Sequence, residues 1–182
     1  MHPFFTIGHS NRPLEVFIDL LRGPGVECVV DIRKMPRSRA NPQFNQDTLA
    51  AALAMQGIDY AYLAELGGFR GTHSGIAPQV NALWRNASFH RYADYALSPA
   101  FRDGMARLLE RGLRQRCAIM CAEAVWWRCH RRIVTDYLLA AGCEVFHILG
   151  EGRIEPARLT AGAVLEPDGT LTYPASAQAT SL

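Results

Sequence analysis

The sequence has almost no lysine. Of its 19 basic residues, 18 are arginine and only Lys34 is lysine. It also lacks long apolar runs. No window approaches about 18 consecutive apolar residues, which excludes a transmembrane helix. It has no lysine-rich tail, and its formal net charge is only +2, which argues against a general nucleic-acid binder. No GxGxxG follows the first apolar run, and no P-loop pattern occurs, so dinucleotide and P-loop chemistry are excluded. Gly8-His9-Ser10 is not a GxSxG elbow. The five cysteines are odd in number and fit neither a disulfide framework nor a common zinc spacing. A reduced, cytoplasmic protein is the expectation. The opening Met-His-Pro-Phe-Phe-Thr-Ile-Gly has no basic start and no long apolar run, so no secretory signal is expected there.

What remains is ample for a core. The chain has 182 residues, 49% hydrophobic and 20% charged, which excludes a disordered chain and a coiled coil. One domain is expected. Phe4–Ile7 reads as a buried strand ending at Gly8. Leu14, Phe17, Ile18 and Leu21 then follow at helical spacing, and Gly23-Pro24-Gly25 stops that helix. Glu27–Ile32 is a second short apolar run. Further helices are expected over 47–55, 89–97, 99–113 and 128–141, and further strands over 58–63, 116–120 and 143–148. Asp47 or Asn45 is available to cap the first of those helices. Val164-Leu165 and Leu171-Thr172-Tyr173 around Pro167-Asp168-Gly169 suggest a hairpin, followed by a frayed Ser/Ala/Thr tail. The fold class is therefore α/β: a mostly parallel central sheet of about five strands flanked by helices. Residues 1–150 form the domain and 151–182 an extension with a small hairpin.

In open parallel sheets, ligands bind outside the carboxyl ends of the strands. Three strand exits gather the chemistry. The first is Gly8-His9-Ser10-Asn11-Arg12. The second holds Arg33, Lys34, Arg37 and Arg39 with Ser38 among them. Four cations this close call for an anion, and guanidinium forks match phosphate oxygens. The plain alternative is a solvated basic loop, or Arg33 paired with a structural carboxylate. The fourth strand exits into Cys121-Ala122-Glu123 and then Arg128-Cys129-His130-Arg131-Arg132. Cys129 and His130 fall in the first turn of the expected helix, where a thiol pKa is lowered and anions are favoured. Trp126, beside Trp127, offers an aromatic wall, or else a lid or a dimer contact. Cys28, Cys117 and Cys143 read as small core residues, and His147 as a hydrogen-bonded core histidine.

These exits carry a family likeness. Gly8-His9-Ser10, Val30-Asp31-Ile32-Arg33 with Pro36 and Ser38, Leu66-Gly67-Gly68, and Cys121-Ala122-Glu123 with Cys129-His130-Arg131 together resemble the domain of unknown function 488, over roughly Phe4 to Gly150. The resemblance implies a small α/β domain found widely in bacteria and no particular reaction. The motif positions it carries over are His9, Ser10, Arg33, Pro36, Ser38, Cys121, Glu123, Cys129, His130 and Arg131.

Three functions are carried forward. The leading one binds or processes a phosphate-bearing small molecule, nucleotide or nucleic-acid end, with hydrolysis or transfer at a glycosidic or phosphoester bond as the reaction class. Glu123, His9, Cys121 and His130 are its catalytic candidates. Ser10, Arg33, Arg37, Ser38, Arg39, Cys129, Arg131 and Trp126 are its ligand-binding candidates. The second is a metal- or redox-responsive binding protein using Cys121, Cys129 and His130. The third is a nucleic-acid binder. No cofactor and no metal ligand set is assigned, no membrane partner is expected, and a homodimer stays open.

Overall fold

The structure is a computed structural model and describes residues 1–73 and 75–175. The tail residues expected to fray, Ser176 onward, lie outside the described residues. Five strands run parallel: β1 (Phe4–Gly8), β2 (Cys28–Asp31), β3 (Asp59–Tyr62), β4 (Cys117–Cys121) and β5 (Val145–Gly150). A sixth strand, β6 (Arg153–Pro156), pairs antiparallel to β5 and was not expected from the sequence. The sheet order is β3-β2-β4-β1-β5-β6. The short strands β7 (Val164–Leu165) and β8 (Leu171–Thr172) form the expected antiparallel hairpin. No helix among the described residues is long and apolar enough to cross a membrane.

The helices are α1 (Leu14–Arg22), α2 (Gln46–Ala54), α3 (Ala87–Ala96), α4 (Pro99–Arg114) and α5 (Arg131–Ala140). Strand side chains alternate between two cores, as a doubly covered sheet requires. Phe5, Ile7, Val29, Ala118 and Met120 pack with Phe17, Leu21, Leu49 and Leu53 of α1 and α2. Phe4, Cys28, Val30, Cys117 and Ile119 pack with Tyr92, Phe101, Leu108, Ile133 and Leu138 of α3, α4 and α5. Leu171 and Tyr173 from the tail join this second core.

Two local expectations change. Asn45 stands at the N-cap of α2 but makes no side-chain cap bond there. Its Oδ1 instead accepts the Ser38 backbone N–H at 2.7 Å, so it closes the preceding loop. Helix α5 begins three residues later than expected. Trp126–Arg128 form a separate 3-10 turn, and Cys129 is extended, with φ −130° and ψ 149°. Cys129 therefore lies just before the helix, with His130 at its N-cap position.

Gly112 of α4 shows how closely the second core is filled. A Cβ built there would overlap the ring of Phe4, which is fully buried on β1. On an exposed helix face, Gly to Ala adds about 0.5–1 kcal/mol of stability. Here overpacking reverses the sign. Gly112→Ala is expected to destabilise the protein by about 1–3 kcal/mol, read as a lowered urea midpoint with an unchanged slope.

Candidate functional site

The connections of β1 and β4 leave the sheet on opposite sides. β1 leads to α1 over one face, and β4 leads to α5 over the other. A crevice opens where neighbouring strands part in this way. It is a cleft of about 960 Å³ at the carboxyl end of the sheet. That volume suits a small-molecule ligand.

Nine of the sequence candidates line it: His9, Ser10, Arg33, Arg37, Ser38, Cys121, Glu123, Cys129 and His130. Arg39, Arg131 and Trp126 do not. Arg39 is exposed outside the cleft. Trp126 stacks on His147 at 4.3 Å, behind the strand ends. His147 is the core histidine expected: it is buried and bonded to Thr6 Oγ1 at 2.8 Å. Arg131 is 1% exposed and lies beneath the floor, where its Nη2 donates to the Glu123 carbonyl at 2.6 Å.

Arg33 faces the cleft but is already engaged. Its guanidinium pairs with Asp31, Nη2 to Oδ2 at 2.6 Å, and both residues are buried. Nη2 also donates to the Phe44 carbonyl at 2.8 Å, and Nη1 to His9 Nε2 at 3.3 Å. His9 in turn donates from Nδ1 to the Ser10 carbonyl at 2.7 Å and stacks on Phe44. Both ring nitrogens of His9 are thus used with the ring neutral. Burial, chiefly, lowers its pKa to about 4, with the charges of Arg33 and Arg131 adding to the effect.

The cations left at the rim are Lys34, Arg37 and Arg128. All three line the cleft, are exposed, and make no ion pair among the described residues. Among the described residues, Glu123 is the one carboxylate lining the cleft. Ser10, Asn11, Ser38, Asn41, Asn86 and Ser88 supply polar edges, and Phe69, Phe89 and Tyr92 supply aromatic ones. The residues from α3 and the loop before it come from a fourth exit, that of β3. Its signal was the long aperiodic stretch from Leu66 to Asn86, too long to cross directly to the next element.

On the floor, Cys121 and Cys129 meet, with Sγ atoms 2.6 Å apart. They are 2% and 3% exposed. Burial, and then the bond with Cys129, pushes the Cys121 thiol well up. For Cys129, burial also raises the pKa. The Cys121 bond, His130 and Arg131 outweigh it and hold the thiol well below its ordinary range. Among the described residues, no group of three His, Cys, Asp or Glu side chains is arranged to hold a metal ion.

Close backbone approaches hold this floor. A Cβ on Gly8 would overlap the Glu123 carbonyl, and one on Gly68 would meet His130 Nδ1 at 2.8 Å. Among the described residues, Ser10 and Phe69 are the non-glycine positions in the left-handed region, both at φ 52°. Both line the cleft. Such strain costs of order 1–3 kcal/mol and gathers at functional sites.

An open α/β sheet with a cleft at its crossover point defines a broad class of ligand-binding and catalytic domains. The family model described as "Domain of unknown function DUF488" matches residues 13–138, most of the chain. The chain belongs to that family. No curated protein and no solved structure matches it.

The two buried histidines make a pH prediction. Burial lowers His147, like His9, from 6.5 to about 4. Between those values the unfolded chain holds the extra protons, so stability is lost as the pH falls. The urea midpoint is expected to decline from pH 6.5 towards 4, beginning above the carboxylate range. A flat profile there would contradict neutral burial.

Proposed function

We propose that the cleft binds a phosphate-bearing ligand of nucleotide size. The observation that supports this is a set of three cations, Lys34, Arg37 and Arg128, that make no ion pair among the described residues, around an opening where Glu123 is the one carboxylate among those residues. They come from two different strand exits, so no single basic loop accounts for them. Arginine forks take phosphate oxygens in pairs, and a half-enclosed site strengthens the pairing. The anion sits at the rim and the uncharged part of the ligand beside Phe69, Phe89 and Tyr92. Arg33 and His9 hold the site in shape and leave the anion to the rim. In this reading Glu123, which is exposed and lines the cleft, acts as acid or base on a glycosidic or phosphoester bond.

Calorimetric titration with adenosine and adenosine 5′-monophosphate tests the reading. The monophosphate is expected to bind more tightly, with affinity falling as salt rises. Arg37→Ala and Arg128→Ala are each expected to weaken it by at least about tenfold, the scale of one charge-assisted contact. Equal binding of nucleoside and nucleotide would sink the proposal.

A further inference from the structure

The Cys121–Cys129 pair has no role in binding an anion at the rim, yet the floor is built around it. Cys129 Sγ lies 3.5 Å from His130 Nδ1 and accepts the Arg131 backbone N–H at 3.4 Å. His130 Nε2 is 2.8 Å from the Ile32 carbonyl, which can only accept. That bond puts the ring proton on Nε2 and leaves Nδ1 with a free lone pair facing the sulfur. This is the arrangement of an activated nucleophile: thiol, base, and a third group that orients the base. Gly68 is part of it, because a side chain there would press on Nδ1. Among the described residues, Cys121 has no such base bonded to it. Its Sγ meets Cys129 on one side and, at 4.0 Å, the Glu123 carbonyl on the other.

We infer that Cys129 is a thiolate nucleophile for hydroperoxides and that Cys121 is its resolving thiol. The assignment is independent of the ligand that fills the cleft. A thiol held against the attacking sulfur serves when the product on that sulfur is open to a second thiol, as a sulfenic acid is. Access through the cleft to two nearly covered sulfurs favours a small electrophile over a protein disulfide. In the first step, His130 Nδ1 takes the Cys129 proton and the thiolate attacks one peroxide oxygen. The S–O bond forms, the O–O bond breaks, and the leaving hydroxide takes the proton back as water or, from an alkyl peroxide, the alkoxide leaves as an alcohol. In the second step, Cys121 attacks the Cys129 sulfur. The S–S bond forms, the S–O bond breaks, and water leaves. Two thiols are oxidised and one peroxide is reduced.

The protein carries its own control. Cys28 and Cys117 are paired across β2 and β4, are fully buried, and have no histidine bonded to them. They lie at the opposite end of the strands from the cleft. The reduced protein is treated with one equivalent of hydrogen peroxide, its free thiols are counted, and its peptides are mapped. Two of the five thiols should disappear, in a peptide joining Cys121 to Cys129 that a reductant reopens. No such peptide, or oxidation of Cys28 and Cys117 at an equal rate, overturns the inference. In Cys121→Ser, dimedone should label Cys129; labelling elsewhere, or none, overturns it. His130→Gln keeps a donor for Ile32 but lacks the base. Its reaction near neutral pH should slow by about tenfold or more, and its pH profile should move towards that of an ordinary thiol. An unchanged profile removes His130 from the mechanism.

Discussion

The buried ion pair between Asp31 and Arg33 is the joint on which the carboxyl end of the sheet depends. Asp31 is the last residue of β2 and has no exposed surface. A buried carboxylate needs a paired charge and further hydrogen bonds, or it does not stay charged. Arg33 folds back to supply the charge, Tyr60 of β3 donates to Oδ2 at 2.6 Å, and the Arg33 backbone N–H donates to Oδ1 at 3.0 Å. The same guanidinium reaches Phe44 in the next loop and His9 after β1. One ion pair therefore fixes four segments that meet at the cleft. Removing one partner of such a pair costs about 3–5 kcal/mol, because the other charge is left buried alone.

Around that joint, the cleft divides into two chemically different levels. The rim is cationic and exposed, with Lys34 and Arg37 on the loop after β2 and Arg128 in the 3-10 turn before α5. The sulfurs of the floor are nearly covered, and its groups stand at a strand end and at the start of a helix, where backbone N–H groups point outward. Arg131 serves both levels at a distance. It lies under the floor, bonds the Glu123 carbonyl, and places positive charge beneath the two sulfurs without being reachable itself.

Strands covered on both faces write themselves into the sequence as short apolar runs, which is why β1, β2, β4 and β5 were legible. β6 was not. Arg153-Ile154-Glu155-Pro156 is exposed throughout, and its place comes from backbone pairing with β5, which leaves no apolar pattern. The start of α5 differs from the expectation because Trp126–Arg128 make a 3-10 turn of their own, closed by the Cys129 N–H on the Trp126 carbonyl. The site was legible to the extent that strand exits are. Charge in sequence does not say which arginine is spent. Arg33 and Arg37 look alike in a basic loop, and only the fold shows that one is bonded to a carboxylate two residues back while the other makes no ion pair among the described residues. Tyr92 of α3 is buried in the second core, yet it and Phe89 also line the cleft.

Asn45 gives up its helix cap to hold the backbone of Ser38, and the Gln46 N–H donates to the Pro36 carbonyl at 2.9 Å. Ser38 Oγ closes the same segment onto Asn41 at 3.1 Å. The stretch that presents Arg37 is thus a stapled hoop and not a free tether. Its backbone entropy is given up when the chain folds, so the anion proposed for the rim would have only the Arg37 side chain to immobilise there. The backbone beneath Arg37 is thus set by the fold itself and not by an occupant.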